Sequence, residues 1–196
     1  MPDERRQEWE RRHRTGIQAG APSPFVVTAL DALARERGSA PPPRALDVAC
    51  GAGRHARLLA ARGYRVVAMD YARAALAALR ARAGANAGAI DAVVADVTRW
   101  PLLGARFDLV LVVDFLERAL WPALRAAVAP GGALLIETFL VGQERHGHPR
   151  NPAYLLRPGE LAEVCRGWTI LLAREGETGG SAPACRAGIL AARPRT

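Results

Sequence analysis

The sequence contains no lysine, so its 27 basic side chains are all arginines. Set against 19 acidic side chains, they give a formal net charge of +8. The arginines are spread along the chain, whereas a nucleic-acid-binding surface usually carries a localised basic patch. We therefore do not expect nucleic acid as a partner. A basic surface of this kind is compatible with an anionic small-molecule substrate.

Cysteine and long apolar runs are also scarce. The three cysteines, Cys50, Cys165 and Cys185, form no C-x-x-C pair and are typical of the reduced thiols of a cytoplasmic protein. No apolar run approaches the roughly 18 residues that a membrane span requires, and we expect no signal peptide at the charged N-terminus. No histidine or cysteine cluster has metal-ligand spacing. The sequence thus predicts a cytoplasmic protein with no membrane contact and no metal.

From residue 44 onward, short apolar strands alternate with helical patterns. This alternation predicts an α/β fold with a doubly wound, mostly parallel sheet. The last two of the seven predicted strands are joined by a glycine-rich loop, which predicts a C-terminal antiparallel hairpin. The predicted strands cover 45–49, 65–69, 91–95, 107–113, 133–139, 168–174 and 185–192. The 196 residues suit a single domain, in which we expect residues 1–43 to form an N-terminal helical cover.

The stretch 45–56, ALDVACGAGRHA, predicts a strand, a glycine turn and the start of a helix. Gly51 and Gly53 remove side chains where a ligand must approach the backbone. The form G-x-G-x-x-A is permitted for a dinucleotide site, but the stretch also suits a site for S-adenosylmethionine. Asp47 favours the second ligand, because a carboxylate before the turn opposes phosphates and matches an ammonium group. A tight turn that binds no ligand is the third interpretation.

Acidic residues follow the next three predicted strands, at Asp70, Asp96 and Asp114. Ligands of an open α/β sheet bind outside the carboxyl ends of its strands. Asp70, followed by Tyr71, is predicted to hold ribose hydroxyls, with a helix cap as the alternative. Asp96 and the backbone of Val97 are predicted to bind adenine, with a turn-forming aspartate as the alternative. Asp114 is predicted to line the site of methyl transfer.

The segments LDVACGAGRH, VVAMDYA, VVADV, FDLVLVVD and APGGALLIETF resemble class I S-adenosylmethionine-dependent methyltransferases over about residues 44–140. A narrower resemblance is to small bacterial methyltransferases of the tellurite-resistance type. It is carried by Trp9, Arg12, Gly16, Ser23-Pro24-Phe25, Gly53-Arg54-His55, Glu137-Thr138-Phe139 and residues 151–161. The resemblance implies a Rossmann-like methyltransferase fold and S-adenosyl-L-methionine as cofactor. The cofactor site that it implies consists of Asp47, Gly51, Gly53, Asp70 and Asp96.

The predicted function is methyl transfer to an unidentified small-molecule acceptor by a monomer or homodimer. No residue is identified as catalytic, because a general base is needed only if the acceptor must lose a proton. Relatives commonly carry a histidine where this chain has Glu117. The candidate bases are Glu117, Glu137, His146 and His148. The candidate partners of an anionic substrate, by bidentate pairing, are Arg118, Arg145, Arg150 and Arg157.

The polar segments 9–24 and 141–157 are predicted to close over the cofactor, since long loops in compact domains often act as lids. Two other classes of function stay open. One is a Rossmann protein that binds a nicotinamide or another nucleotide, and the other is a methyltransferase-like protein that binds cofactor without turnover.

Overall fold

The computed structural model describes residues 10–11, 20–35, 42–99, 106–179 and 183–195. The N-terminal helix expected around Trp9 falls outside these ranges except for Glu10 and Arg11, which are helical. Arg12 and Gly16 also lie outside the described residues.

A seven-stranded sheet forms the centre of the described chain. Its strands are β1 (Arg44–Val48), β2 (Arg65–Asp70), β3 (Ile90–Val94), β4 (Phe107–Val113), β5 (Val128–Phe139), β6 (Thr169–Thr178) and β7 (Ala184–Ala192). Their order across the sheet is β3-β2-β1-β4-β5-β7-β6. Strands β1 to β5 pair in parallel, and β7 runs antiparallel between β5 and β6. The predicted fold class and the C-terminal hairpin are confirmed.

Helices cover both faces of this sheet. They are α1 (Pro24–Arg35), α2 (Arg54–Ala61), α3 (Arg73–Arg82), α4 (Trp121–Ala127) and α5 (Glu160–Val164). Short 3-10 turns lie at Gly84–Ala89, Arg118–Leu120, Gln143–Arg145 and Pro152–Tyr154. None of the helices in the described ranges is long and apolar enough to cross a bilayer.

The central strand β4 is buried on both faces, as its continuous apolar run predicts. Leu109 and Leu111 point to one side, where they join the core formed with α1, α2 and α3. Val110 and Val112 point to the other side, into the core formed with α4 and α5. The alternation along one strand therefore supplies both layers of the core.

Three boundaries differ clearly from the sequence expectation. One is the end of β6, which lies at Thr178 and not at residue 174. The helix expected over 116–128 spans only 121–127, because Pro122 occupies one of its first two positions and a 3-10 turn precedes it. The turn expected at 130–132 lies inside β5. This strand begins at Val128, which pairs with Phe107 across a register shift.

Candidate functional site

The glycine turn joins β1 to α2 through three residues with left-handed backbone. Ala49 has φ 54°, Gly51 has φ 54° and Gly53 has φ 73°. The amide of Gly53 donates to the carbonyl of Cys50 at 3.0 Å, which closes the turn. Of these three residues only Ala49 carries a Cβ, and a left-handed conformation costs such a residue roughly 1–2 kcal/mol.

Gly53 is required by packing as well as by its backbone conformation. A Cβ at this position would lie 2.2 Å from Cδ1 of Leu79 and 2.9 Å from its Cγ. Leu79 belongs to α3 and is fully buried. The absent side chain of Gly53 therefore lets the turn pack against α3, a role beyond the ligand approach that the sequence predicts.

Asp47 is a buried carboxylate with an unused oxygen. Its side chain is in β1 and 2% exposed, and no hydrogen-bond donor in the described structure meets its Oδ2. Burial, followed by the nearby Asp70, raises the pKa of Asp47 to about 7, while the backbone amide of Ala56 opposes this shift. A buried, incompletely paired carboxylate is costly, so a cationic group at Oδ2 would relieve it.

Asp70, at the end of β2, fastens the glycine turn to the start of α3. Its Oδ2 accepts from the amide of Gly51 and its Oδ1 from the amide of Ala72, both at 2.8 Å. The N-cap of α3 is Ala72, with no side-chain cap hydrogen bond, so the prediction of Asp70 as the cap of this helix is wrong. Each carboxylate oxygen has a second lone pair, so binding of ribose hydroxyls by Asp70 remains a prediction compatible with this geometry.

A small cleft lies at the carboxyl ends of β2 and β3. Four predicted site residues line it together: Asp70, Tyr71, Asp96 and Val97. The remaining lining residues are Ala49, Ala95, Thr98 and Phe115.

Asp96 also shapes the turn after β3. Its Oδ1 accepts from the amide of Thr98 at 3.0 Å and from the Thr98 hydroxyl at 2.6 Å. The turn-forming alternative is thus present in the structure. Asp47, Gly51 and Gly53 do not line this cleft.

Asp114, the last of the predicted residues, lies outside the cleft and in a row of ion pairs. Its backbone is left-handed, with φ 57°. Its Oδ2 pairs with Nη2 of Arg54 at 2.6 Å, and its Oδ1 pairs with Arg186. Arg186 pairs in turn with the fully buried Glu137, Nε to Oε1 at 3.3 Å.

Glu137 also pairs with Arg174, which completes a row that we call the charge ladder. Its members, in order, are Arg54, Asp114, Arg186, Glu137 and Arg174. Glu137 and Arg174 both lie opposite Gly188 in the register of β5, β7 and β6. Because Gly188 has no side chain, Arg174 reaches Glu137 across β7. Glu137 is therefore held between two guanidinium groups, which argues against its predicted role as a general base.

Comparison with known proteins supports the interpretation of this region. Residues 45–132 match the family model described as a methyltransferase domain. This match spans 88 of the 196 residues, which is less than half of the chain. No curated protein matches the chain in sequence.

Solved structures resemble the chain in fold. TehB from Haemophilus influenzae has a TM-score of 0.68 at 20% identity, covering 85% of this chain and 61% of its own. A SAM-dependent methyltransferase from Methanosarcina mazei has a TM-score of 0.66 at 16% identity, covering 90% and 100%. The glycopeptide N-methyltransferase MtfA complexed with S-adenosylmethionine has a TM-score of 0.60 at 20% identity, covering 85% and 93%. The chain thus spans 61% of the TehB structure.

The guanidinium group of Arg118 makes several contacts within the protein. Its Nε donates to Oε1 of Glu160 at 2.6 Å and its Nη2 to Oε2 at 2.9 Å. The same Nη2 donates to the carbonyl of Leu155 at 2.9 Å. Glu160 is almost completely buried. Arg118 therefore ties the chain after β4 to the start of α5, and its role in substrate binding stays a prediction.

The segment 141–157 is held to the rest of the described structure by polar contacts. Oε1 of Gln143 accepts from the amide of Cys185 at 2.8 Å, and its Nε2 donates to the carbonyl of His148 at 3.1 Å. His146 lies 3.2 Å from Glu177, Nε2 to Oε1. Closure of this segment over a cofactor remains a prediction.

His55 was given no role from the sequence, yet it is buried in the first turn of α2. Its Nε2 accepts from the backbone amide of Ser23 at 3.1 Å. Burial, followed by the charge of Arg54, lowers the pKa of His55 to about 4. The ring is thus neutral at physiological pH. The one sequence signal for His55 was its place in the motif Gly53-Arg54-His55.

Proposed function

We propose that this protein transfers the methyl group of S-adenosyl-L-methionine to a small-molecule acceptor that carries negative charge. The match of residues 45–132 to the methyltransferase domain model supports this class of reaction. The observation that carries the cofactor assignment is the unpartnered, buried Oδ2 of Asp47 beside the glycine turn.

The acids around the turn fit this cofactor better than a dinucleotide. Asp47, Asp70 and Asp96 lie in or directly after three neighbouring strands, β1, β2 and β3. The pyrophosphate of a dinucleotide would meet like charge here, which is unfavourable in a buried setting. S-adenosylmethionine carries no phosphate and presents an ammonium group that can pair with a carboxylate.

The residues of the chain bind and orient the cofactor. Asp47 would face the methionine ammonium, Asp70 the ribose hydroxyls, and Asp96 with Val97 the adenine. Tyr71 lines the same cleft as the last three. The bound cofactor supplies an activated methyl group on its sulfonium. The work left to the protein is to align the acceptor and to exclude water.

The charge ladder supports an anionic acceptor. It contains three guanidinium groups and two carboxylates, so it carries one positive charge in excess. Asp114 precedes Phe115, which lines the cleft. Arg54 and Arg174 are partly exposed, with 29% and 36% of their side-chain surface accessible. Arginine is well suited to bidentate recognition of carboxylates and phosphates.

A reducing compartment such as the cytoplasm suits this proposal, because Cys50, Cys165 and Cys185 are all free thiols.

Calorimetry with S-adenosylhomocysteine, NAD and NADP tests the cofactor assignment. We expect S-adenosylhomocysteine to bind, and neither nicotinamide cofactor to bind more tightly. Tighter binding of NAD or NADP would instead support the nucleotide-binding alternative.

Turnover is tested separately with S-adenosylmethionine labelled on its methyl group and a library of small organic acids with their neutral analogues. We expect labelled product and S-adenosylhomocysteine with at least one acid and less with its neutral analogue. Cofactor binding without labelled product from any compound would favour a non-catalytic binding protein. Equal transfer to acids and neutral analogues would contradict the anionic acceptor.

A further inference from the structure

The chain enters α1 through a corner that is tied down at both ends. We call residues 20–25 the N-terminal corner. Ser23 caps the helix, since its Oγ accepts from the amide of Phe25 at 3.2 Å and its carbonyl from the amide of Val27 at 3.0 Å. The amide of Ser23 itself lies outside the helix and donates to Nε2 of the buried His55. An imidazole nitrogen accepts such a bond only when it carries no proton.

The second tie is the ring of Phe25. It occupies the space that a side chain at residue 188 would fill, because a Cβ on Gly188 would lie 2.6 Å from its Cε1. The guanidinium of Arg174 lies 5.0 Å from the centre of the same ring, within the range of a cation–π contact. Phe25 is thus seated on the last member of the charge ladder.

These two ties lie near the two ends of the ladder. At one end, Arg54 immediately precedes His55, and a Cβ on Gly20 would lie 3.9 Å from Nη1 of Arg54. At the other end, Arg174 contacts Phe25. The N-terminal corner therefore spans the ladder from its first member to its last.

The corner also borders the methionine end of the proposed cofactor site. His55 lies two residues after Gly53, in the first turn of α2. The next residue, Ala56, gives its backbone amide to Asp47, the carboxylate assigned to the methionine ammonium. The same helical turn thus holds both the corner and Asp47.

We propose that His55 is a positioning residue: its Nε2 holds the N-terminal corner across the charge ladder, and the seated corner encloses the methionine end of the cofactor. This inference rests on the proposed function, because it takes S-adenosylmethionine as the cofactor. It assigns His55 no contact with the reacting atoms.

A separate contact between the same two helices offers a matched control. Nη1 of Arg62, directly after α2, donates to Oδ1 of Asp31 on α1 at 2.7 Å. Asp31 is exposed, and neither residue contacts the ladder in the described structure. Asp31→Ala therefore loosens the docking of α1 without unseating the corner.

The test compares two ligands and four variants. S-adenosylhomocysteine has the methionine end, and adenosine lacks it. His55→Phe removes the acceptor but keeps a planar ring. His55→Gln keeps an acceptor at similar reach. Gly188→Ala displaces Phe25 and also crowds the pair of Arg174 with Glu137, while leaving His55 intact. Asp31→Ala is the control, and melting of each variant without ligand shows that it is folded.

We expect His55→Phe and Gly188→Ala to weaken S-adenosylhomocysteine binding about tenfold, the scale of one hydrogen bond. Adenosine binding should change little in either variant. Hydrogen exchange of the segment around Ser23 should rise in both. His55→Gln and Asp31→Ala should bind S-adenosylhomocysteine like the wild type.

Two results would overturn the inference. One is unchanged affinity for S-adenosylhomocysteine in folded His55→Phe and Gly188→Ala proteins. The other is an equal loss for adenosine, which would mean general damage to the site. A wild-type protein that binds no S-adenosylhomocysteine would contradict the proposed function first, and is thereby distinguished from failure of the corner alone.

Discussion

The carboxylate of Asp70 accepts a 2.8 Å hydrogen bond from the backbone amide of Gly51, across the 19 residues that separate them in sequence. One side chain at the end of β2 thus fixes the loop that follows β1. Because Asp70 also lines the cleft, the shape of the turn and the chemistry of the site depend on the same group.

Asp70→Ala is expected to weaken S-adenosylhomocysteine binding by about 1.5–3 kcal/mol, the range for hydrogen bonds to a charged group. It should also destabilise the protein, because the amides of Gly51 and Ala72 lose their acceptor. Asp108→Ala is a matched control, since the Asp108 carboxylate also accepts from a backbone amide, that of Arg44 at 2.7 Å, and does not line the cleft. Calorimetry and urea unfolding of both variants separate the two effects. Retained affinity in Asp70→Ala would show that Asp70 has only a structural role.

Gly53→Ala should destabilise the protein by about 2–4 kcal/mol, from a left-handed alanine and an overpacked core. The cause is the approach of the new methyl to the buried Leu79. In the double variant with Leu79→Ala, part of this cost should disappear, because the clash is removed. Chemical denaturation of the two single variants and the double variant gives the coupling free energy between residues 53 and 79. Strict additivity would show that Leu79 is not the obstacle.

Ala49→Gly should stabilise the protein by up to about 1 kcal/mol. The left-handed backbone at φ 54° costs alanine roughly 1–2 kcal/mol, and the extra chain entropy of glycine offsets roughly half of that gain. Ala52→Gly, in the same turn but without a positive φ, should destabilise the protein. Thermal melts of both variants test this, and a loss of stability in Ala49→Gly would show that the turn is unstrained.

Asp47→Asn should stabilise the ligand-free protein increasingly as pH rises. The pKa of Asp47 is raised by burial from 3.8 to about 7, so the folded protein binds this proton more tightly than the unfolded chain does. The stability due to protonated Asp47 is present below about pH 4 and is lost as pH rises through 7. The asparagine variant does not titrate there, so its advantage should grow between these pH values and then level off. Urea unfolding across this pH range measures the advantage, and Asp91→Asn, at an exposed aspartate, is the control. An Asp47→Asn variant whose advantage does not change with pH would contradict the account.

The order of the elements and the cofactor-side acids could be predicted because local patterns encode them. Apolar runs define the strands, and Asp70 and Asp96 stand directly after two of them. A parallel sheet brings the carboxyl ends of its strands to one edge, so residues that follow different strands in sequence lie together in the site. The glycine turn was likewise a local signal, although the reason for Gly53, a contact with Leu79 in α3, was not.

The charge ladder could not be predicted, because it depends on pairing across the sheet. Arg174 meets Glu137 only because Gly188 lies between them in register. Nothing near Arg174 or Arg186 distinguishes them from the other arginines of the chain. The contact of His55 with Ser23, 32 residues away, is equally invisible to local pattern. The late start of α4 had a local signal in Pro122, because proline favours the first turn of a helix. The helical periodicity of the residues before Pro122 predicted an earlier start instead.

The most direct test of the cofactor assignment is to count the protons released when S-adenosylhomocysteine binds. At pH 6 the ligand-free protein should hold Asp47 mostly protonated, and pairing with the methionine ammonium should ionise it, releasing roughly 0.9 proton per molecule bound. Calorimetry in buffers of different ionisation enthalpy measures this number. We expect it to approach zero at pH 8.5 and in Asp47→Asn at pH 6. Binding of S-adenosylhomocysteine at pH 6 with no proton release by the wild type would contradict the placement of its ammonium at Asp47.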